Sequence, residues 1–130
     1  MANSGYDHVD ARVGELAKVR PLYDALFTAM GYVDVHVETD SVGYHRPNES
    51  GSDPFIWIVE EKGHRPNGTR IAFAARSRAE VDRLAKITQE AGARAFESPQ
   101  LIAEYGPNYY ATFFEDGEGN KMEICCRREQ

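Results

Sequence analysis

Four side chains suited to binding or chemistry fall on strands that we predict from alternating apolar and polar residues. They are His8, Trp57, Arg70 and Glu123, and each is flanked by an apolar residue. Successive residues of a strand point to opposite faces, so apolar neighbours in the core place these four side chains on the other face. A surface with apolar walls and a few convergent polar groups is the usual form of a small-molecule site. The pattern therefore predicts a ligand site at these residues.

Glu123 is the most constrained of the four, because it lies between Met122 and Ile124 in a predicted strand. A carboxylate in that position is costly unless it is paired or hydrogen-bonded. We predict that Arg70 is its partner, since a guanidinium fork fits a carboxylate. Arg70 also favours a ligand that carries a carboxylate, phosphate or enolate group. Tyr110 is a further candidate for ligand contact, and Glu123 is the candidate residue if the site is catalytic.

The first half of the chain has the order strand, helix and three strands. His8–Val13 alternates strictly, and the apolar stripe after it predicts a helix that starts near Lys18. Gly31 follows the last apolar residue of this stripe and suits a left-handed helix cap. Three further strands are predicted at Val33–Val37, Ser41–His45 and Phe55–Glu60.

The second half repeats that order. A strand over Arg70–Ala75 is followed by Ser77 and Glu80, whose spacing is typical of a helix capping box. Gly92 suits the cap at the end of that helix. The remainder is predicted as a short strand, a loop and a hairpin, at Ala93–Phe96, Pro99–Pro107, and Tyr109–Glu115 with Lys121–Cys126.

A common offset between the halves indicates an internal duplication. His8 and Arg70 are 70 − 8 = 62 residues apart, and Gly31 and Gly92 are 92 − 31 = 61 apart. We therefore predict one α+β domain of two tandem βαβββ modules, over about residues 6–62 and 68–127, which form a curved mixed sheet around a trough. Each helix must cover the apolar face of its own sheet. The core residues predicted on those faces are Val9, Ala11, Ile56, Ile58, Ile71, Phe73, Met122 and Ile124.

The composition argues against several kinds of partner. A net charge of −6 disfavours nucleic acid, whose binding needs clustered Lys and Arg. No stretch approaches the roughly 18 apolar residues of a membrane span. Cys125 and Cys126 are adjacent and are not expected to form a disulfide, which favours a cytoplasmic location. His36, His45 and His64 lack metal-site spacing, and we predict surface or loop positions for them.

Five segments, taken in order, resemble one family of proteins. They are Asp7–Val9, Pro21–Leu26, Thr69–Val81, Tyr105–Phe113 and Asp116–Ile124. Together they resemble the vicinal-oxygen-chelate superfamily, which includes glyoxalases, bleomycin-resistance proteins and extradiol dioxygenases. The resemblance extends from Asp7 to Cys126 and implies a glyoxalase-like fold.

The resemblance also implies where a metal would be held. Enzymes of the superfamily bind a divalent metal with residues from the first and last strands of each module. The corresponding positions in this chain are His8, Trp57, Arg70 and Glu123. Only His8 and Glu123 are of a metal-binding type, because the indole and guanidinium groups at the other two positions have no lone pair to offer.

The expected function is therefore metal-independent binding or sequestration of a small molecule, by a homodimer without a cofactor. The alternative is a lyase or dioxygenase that depends on a divalent metal such as zinc, nickel, manganese or iron. That enzyme would use His8, Glu123 and a third ligand, for which Asp10 and His45 are the candidates. The sequence leaves the choice between catalysis and sequestration open.

Overall fold

The structure is a computed structural model that describes residues 5–47 and 53–130. The chain divides into two compact units, residues 1–65 and residues 66–130. Each unit contains a four-stranded mixed sheet and one long helix, in the order strand, helix and three strands. The predicted α+β fold of two βαβββ modules is therefore confirmed.

The first unit contains one sheet with the strand order β1-β4-β3-β2. Strand β1 runs parallel to β4, and the other neighbours are antiparallel. The helix α1 packs against β4. The elements are β1 His8–Val13, α1 Leu16–Ala29, β2 Asp34–Val37, β3 Ser41–His45 and β4 Phe55–Glu60.

The core of the first unit lies between α1 and the sheet. The Phe27 ring is 5.7 Å from the Tyr23 ring and 4.7 Å from the Tyr44 ring, measured between centroids. Burial, followed by a hydrogen bond to Asp24, raises the pKa of Tyr44 above its usual range. The helix begins at Leu16, earlier than predicted, because the Glu60 carboxylate accepts the hydrogen bond of the Leu16 N–H at 2.9 Å.

The second unit repeats this arrangement with the strand order β5-β8-β7-β6. Strand β5 runs parallel to β8, and the other neighbours are antiparallel. The helix α2 contacts β6, β7 and β8. The elements are β5 Arg70–Ala74, α2 Arg78–Glu90, β6 Arg94–Leu101, a short 3-10 helix Ala103–Tyr105, β7 Tyr110–Glu115 and β8 Lys121–Cys126.

Local signals mark the start of α2 and the C-terminal ends of both helices, as predicted. The Ser77 hydroxyl accepts a hydrogen bond from the Glu80 N–H at 3.0 Å, which caps the start of α2. Gly31 and Gly92, the residues that follow the C-caps, have φ angles of +92° and +101°. These left-handed conformations favour glycine because it has no Cβ.

A buried aspartate fixes the turn between β7 and β8. Asp116 is fully buried, and its carboxylate accepts hydrogen bonds from the N–H groups of Glu118 and Asn120, at 2.9 and 3.0 Å. The Asn120 side-chain amide donates a third, at 2.8 Å. The hairpin was predicted from turn residues alone, and the role of Asp116 was not.

Strand β6 is longer than predicted. The sequence predicts a strand that ends at Phe96 and a loop from Pro99, whereas β6 extends over Arg94–Leu101. β6 lies at the sheet edge, where the missing N–H of a proline costs no hydrogen bond within the sheet. Two register shifts interrupt its pairing with β7, and Ala95 adopts a φ of +47°. These irregularities hide the alternation from which a strand is predicted.

The predicted core was wrong at the sheet edges. Ile56, Ile58, Met122 and Ile124 are buried as predicted, and all lie on the inner strands β4 and β8. On the edge strand β1, Val9 is 37% exposed. The other residues predicted for the core on β1 and β5 are only partly buried, namely Ala11, Ile71 and Phe73. An edge strand has a neighbour on one side only, so its side chains are less well covered.

None of the helices in the two described ranges is long and apolar enough to cross a membrane.

Candidate functional site

The face of the second sheet opposite α2, called here the front face of the second sheet, carries both site residues predicted for β5 and β8. The strand register pairs Arg70 with Lys121 and Ala72 with Glu123, and it pairs Glu123 with Phe113 on β7. Paired residues on neighbouring strands point to the same face. Arg70 and Glu123 therefore share this face, as their alternation predicts.

Glu123 is a buried carboxylate, 5% exposed, whose partner is a tyrosine. The Tyr109 hydroxyl donates a short hydrogen bond to Glu123. Burial is the main cause that raises the pKa of Tyr109 above its usual range, and the contacts with Cys125 and Glu123 add to it. Tyr109 therefore keeps its proton and holds the carboxylate in place.

The Cys125 thiol is unsuited to nucleophilic attack. Burial raises its pKa, and the neighbouring Glu123 carboxylate acts in the same direction. Tyr109 and Arg127 act in the opposite direction but do not outweigh burial. Because the thiolate is the reactive form, a thiol that keeps its proton is inert.

Arg70 does not pair with Glu123, contrary to the prediction. Its guanidinium Cζ lies 5.0 Å from the centroid of the Phe113 ring. The register explains the difference, because β8 places Lys121 beside Arg70, and Ala72 beside Glu123. Arg70 is also exposed at the start of the edge strand β5. The sequence pattern identified the face correctly but not the pairing.

A second guanidinium occupies a similar position at the other end of this face. The Cζ atom of Arg127, which directly follows β8, lies 4.6 Å from the centroid of the Tyr109 ring. Among the residues that the structure describes, no carboxylate forms an ion pair with Arg70 or Arg127. Both cations therefore lie on aromatic rings without an ion pair to a carboxylate of the described residues.

Small residues separate the two arginines along the sheet. Ala72 and Ala74 follow Arg70 on β5, both are exposed, and Ala74 pairs with Cys125. On β7, Ala111 pairs with Cys125 and is fully buried in an apolar cluster. This part of the front face therefore carries no long side chain above the backbone of β5, and it is bordered by rings and guanidinium groups.

Tyr110, the tyrosine predicted to contact ligand, lies on the opposite face. Its hydroxyl donates a hydrogen bond to Asp82 of α2 at 2.6 Å, and the Cζ atom of Arg78 lies 5.5 Å from its ring centroid. Tyr109 occupies the front-face position that was predicted for Tyr110. It alternates with Ala111 and Phe113, which pair with Cys125 and Glu123, so the register between β7 and β8 places Tyr109 on the front face.

In the first unit, His8 and Trp57 lie on the face of the sheet opposite α1, called here the front face of the first sheet. The His8 and His45 rings both stack on Phe55, with centroid distances of 4.9 and 4.4 Å. His8 is also hydrogen-bonded to Asp7 at 2.7 Å. The Trp57 ring stands edge-on to His45 at 6.0 Å.

His36 and His45 belong to this same face; the sequence predicted surface or loop positions for both, and His45 was also a candidate third metal ligand. Their rings are 4.9 Å apart, and His36 lies 3.3 Å from the Asp34 carboxylate. Partial burial, followed by the neighbouring His36, lowers the pKa of His45. The signal in the sequence is parity, because His36 and His45 occupy the polar positions of β2 and β3.

The residues at the positions implied for a metal do not fit one. Over residues 5–47 and 53–130, no group of three or more His, Cys, Asp and Glu side chains is arranged to hold a metal ion. Trp57 and Arg70 offer no lone pair, and Glu123 accepts the Tyr109 hydrogen bond. His8 is engaged with Asp7.

Comparison with solved structures identifies the fold. A glyoxalase/bleomycin resistance protein from Albidiferax ferrireducens T118 is 22% identical, with a TM-score of 0.79 over 96% of this chain and 100% of that one. A glyoxalase-related enzyme from Fulvimarina pelagi is 15% identical, with a TM-score of 0.69 over 95% and 88%. The fosfomycin resistance protein FosX from Mesorhizobium loti is 17% identical, with a TM-score of 0.67 over 96% and 93%.

No family model matches the sequence, and no curated protein is similar enough to count as a relative. The solved structures nevertheless identify the fold, and many of them are glyoxalase, bleomycin-resistance, dioxygenase or fosfomycin-resistance proteins. The chain has the glyoxalase-like fold of the vicinal-oxygen-chelate superfamily. The resemblance predicted from the sequence is thus confirmed at the level of the fold, which hosts many different functions.

Proposed function

We propose that this protein binds a small organic anion, without a metal ion, on the front face of the second sheet. The observation that carries the proposal is the pair of guanidinium groups, Arg70 and Arg127, which lie on aromatic rings and have no acidic partner among the described residues. A cation without a neighbouring acid, beside an apolar surface, is complementary to an anion that has an apolar body.

The geometry of a stacked guanidinium supports this ligand class. The flat group can rest on a ring while its five N–H donors point outward in its own plane, where they match a carboxylate or phosphate group. Arg70 rests on Phe113, and Arg127 rests on Tyr109. The exposed alanines Ala72 and Ala74 leave room on the sheet for the apolar part of the ligand.

The protonation states of the neighbouring groups favour binding over catalysis. The Tyr109 hydroxyl and the Cys125 thiol both have raised pKa values, chiefly because they are buried, so neither offers an anionic nucleophile at neutral pH. The Glu123 carboxylate accepts a hydrogen bond from the Tyr109 hydroxyl. Sequestration of the ligand is therefore the activity we propose.

The test is isothermal titration calorimetry with 2-naphthoate and with its uncharged analogue 2-naphthamide, both in the presence of a chelator. We expect 2-naphthoate to bind more tightly than the amide. Arg70→Ala and Arg127→Ala should each weaken its binding by about 10- to 100-fold, the usual value of a hydrogen bond to a charged group. Lys86→Ala is the matched control, because it removes one exposed cation from α2, outside the site.

Two results would contradict the proposal. One is equal affinity for the acid and the amide, which would mean that no cation recognises the ligand. The other is an equal loss of affinity in Lys86→Ala and Arg70→Ala, which would mean that only the overall charge matters.

The proposal also includes a homodimer located in the cytoplasm. Cys125 and Cys126 are both free thiols, which suits a reducing compartment. Three valines on the short edge strand β2 and just before it are exposed by 37–59%, namely Val33, Val35 and Val37. Exposed apolar side chains at a sheet edge are commonly covered by a second copy of the chain.

A further inference from the structure

Asn67 and Gly68 form the only Asn–Gly pair in the sequence. They lie in the segment between β4 and β5, and both residues are exposed. The Asn67 Oδ1 atom accepts a hydrogen bond from the Thr69 N–H at 2.8 Å. This turn folds the Asn67 side chain back along its own main chain. It therefore brings the side-chain amide carbon of Asn67 toward the main-chain nitrogen of Gly68.

The main-chain nitrogen of Gly68 is accessible. Apart from its two chain neighbours, a Cβ atom at Gly68 would meet no heavy atom within 4 Å. Among residues 5–47 and 53–130, none accepts a hydrogen bond from the Gly68 N–H. Glycine also has no side chain to shield its own nitrogen, and its backbone is freer than that of other residues. The nitrogen can therefore approach the Asn67 amide carbon at little steric cost.

The hydrogen bond from Thr69 also activates the amide of Asn67. A donor on Oδ1 withdraws electron density from the amide carbon, and it stabilises the negative charge that this oxygen gains when a nucleophile adds. Water has access to the same place, since residues 67–69 are all exposed. The turn thus combines a polarised amide, a nearby nitrogen and solvent.

The other positions at which this chemistry could occur are protected. Asp116 precedes Gly117, but it is fully buried, its carboxylate accepts three hydrogen bonds, and it has no amide to lose as ammonia. Two further asparagines in the described ranges, Asn108 and Asn120, are partly buried and are followed by tyrosine and lysine. The side chains of those residues hinder the approach of their own nitrogen. Exposure and neighbour therefore single out Asn67.

We infer that Asn67 is a deamidation site, at which the chain converts this residue into a mixture of aspartate and isoaspartate. The Gly68 nitrogen forms a bond to the Asn67 amide carbon, and the bond from that carbon to Nδ2 breaks. Nδ2 leaves as ammonia together with the proton of the Gly68 N–H, which leaves a cyclic succinimide. Water then opens the ring: addition at the side-chain carbonyl gives aspartate, and addition at the main-chain carbonyl gives isoaspartate.

The modification changes both the charge and the main chain. Either product adds one negative charge at pH 7, so the net charge becomes −6 − 1 = −7. Isoaspartate also lengthens the main chain by one carbon, three residues before β5 begins at Arg70. This inference goes beyond the proposed function, because it requires no ligand and uses none of the residues that bind the anion.

The experiment incubates the folded protein at mildly alkaline pH and follows it by tryptic peptide mapping. Trypsin releases residues 63–70 as one peptide, because Arg65 is followed by Pro66. We expect this peptide to gain one mass unit with time and to separate into two products of equal mass. The rate should rise with pH, because the attacking nitrogen must lose its proton. The peptide of residues 95–121, which contains Asn108, Asp116 and Asn120, should stay unchanged.

Two substitutions are the matched controls. Gly68→Ala should slow the reaction by about tenfold, which corresponds to about 1.4 kcal/mol in the activation barrier, because the methyl group hinders the nitrogen. This variant should fold normally, because the φ angle of Gly68 is not in the left-handed region and a Cβ there meets open space. Asn67→Gln keeps an amide but requires a larger ring, so its peptide should gain no mass over the same period.

Comparison with the unfolded chain tests the contribution of the turn. We expect the folded protein to react at least as fast as the same chain in guanidinium chloride, because the hydrogen bond from Thr69 holds the reactive arrangement. A folded protein that reacts more slowly than the unfolded chain would overturn the inference, since the structure would then protect Asn67. Equal rates for the parent and Gly68→Ala, or a gain of mass in the 95–121 peptide alone, would also overturn it.

Discussion

Removal of the Tyr109 hydroxyl tests whether this tyrosine holds the buried Glu123 carboxylate. In Tyr109→Phe the ring is kept, but a carboxylate that is only 5% exposed loses its hydrogen-bond donor. A buried charged acceptor without its donor costs about 1–3 kcal/mol. Tyr110→Phe is the matched control, because it removes the adjacent hydroxyl, whose hydrogen bond to Asp82 is exposed and should contribute less than about 1 kcal/mol.

Urea denaturation followed by circular dichroism measures both variants. A loss of about 2 kcal/mol should lower the urea midpoint of Tyr109→Phe by about 1 M, since the slope for a chain of this size is roughly 2 kcal/mol per M. Glu123→Gln, alone and combined with Tyr109→Phe, completes a double-mutant cycle. We expect a coupling energy above about 0.5 kcal/mol. Equal midpoints for the two tyrosine variants, or an additive cycle, would refute the pairing of Tyr109 with Glu123.

Three further predictions concern the fold, the tyrosines and the assembly. Asp116→Ala should lower the free energy of unfolding by about 2–4 kcal/mol, because a fully buried acceptor of three hydrogen bonds is lost; a change below about 0.5 kcal/mol in urea denaturation would contradict its role. Tyr44 and Tyr109 should resist ionisation at about pH 11 in absorbance at 295 nm, because burial raises their pKa values. Stability should accordingly fall as the pH rises above about 10, where the unfolded chain releases protons that the folded chain keeps; uniform titration of all seven tyrosines near pH 10 would contradict this. Light scattering should give twice the chain mass of 14.6 kDa, and a mass of one chain would rule out the homodimer.

The fold was predictable because its signals are local. The Ser77 cap and the glycines Gly31 and Gly92 act within a few residues of the chain, so the sequence alone predicts the start of α2 and the C-terminal ends of both helices. Strand β6 was less predictable, because its two register shifts break the period of two. The exposure of Val9 could not be predicted either. Alternation predicts which face a residue occupies but not whether its strand lies at a sheet edge.

The sequence predicts which face of the sheet carries Arg70 and Glu123, but it does not predict which residues they contact. Alternation correctly places Arg70 and Glu123 on one face of the second sheet. The partner of each residue depends on the register between strands that are distant in sequence, and this register sets Lys121 beside Arg70. The sequence alone could not separate Tyr109 from Tyr110, because the alternating sets Tyr109, Ala111, Phe113 and Tyr110, Thr112, Phe114 have similar character. The register between β7 and β8 places the first set on the front face.

Calorimetry with and without metal decides whether anion binding depends on the two arginines or on a metal ion. The protein is treated with a chelator, its zinc, nickel, manganese and iron content is measured, and 2-naphthoate is titrated before and after the addition of zinc. We expect the metal-free protein to bind 2-naphthoate and zinc to leave the affinity unchanged, because Arg70 and Arg127 recognise the anion. Binding that appears only when zinc is added, and that is lost in both His8→Ala and Glu123→Gln, would contradict this expectation.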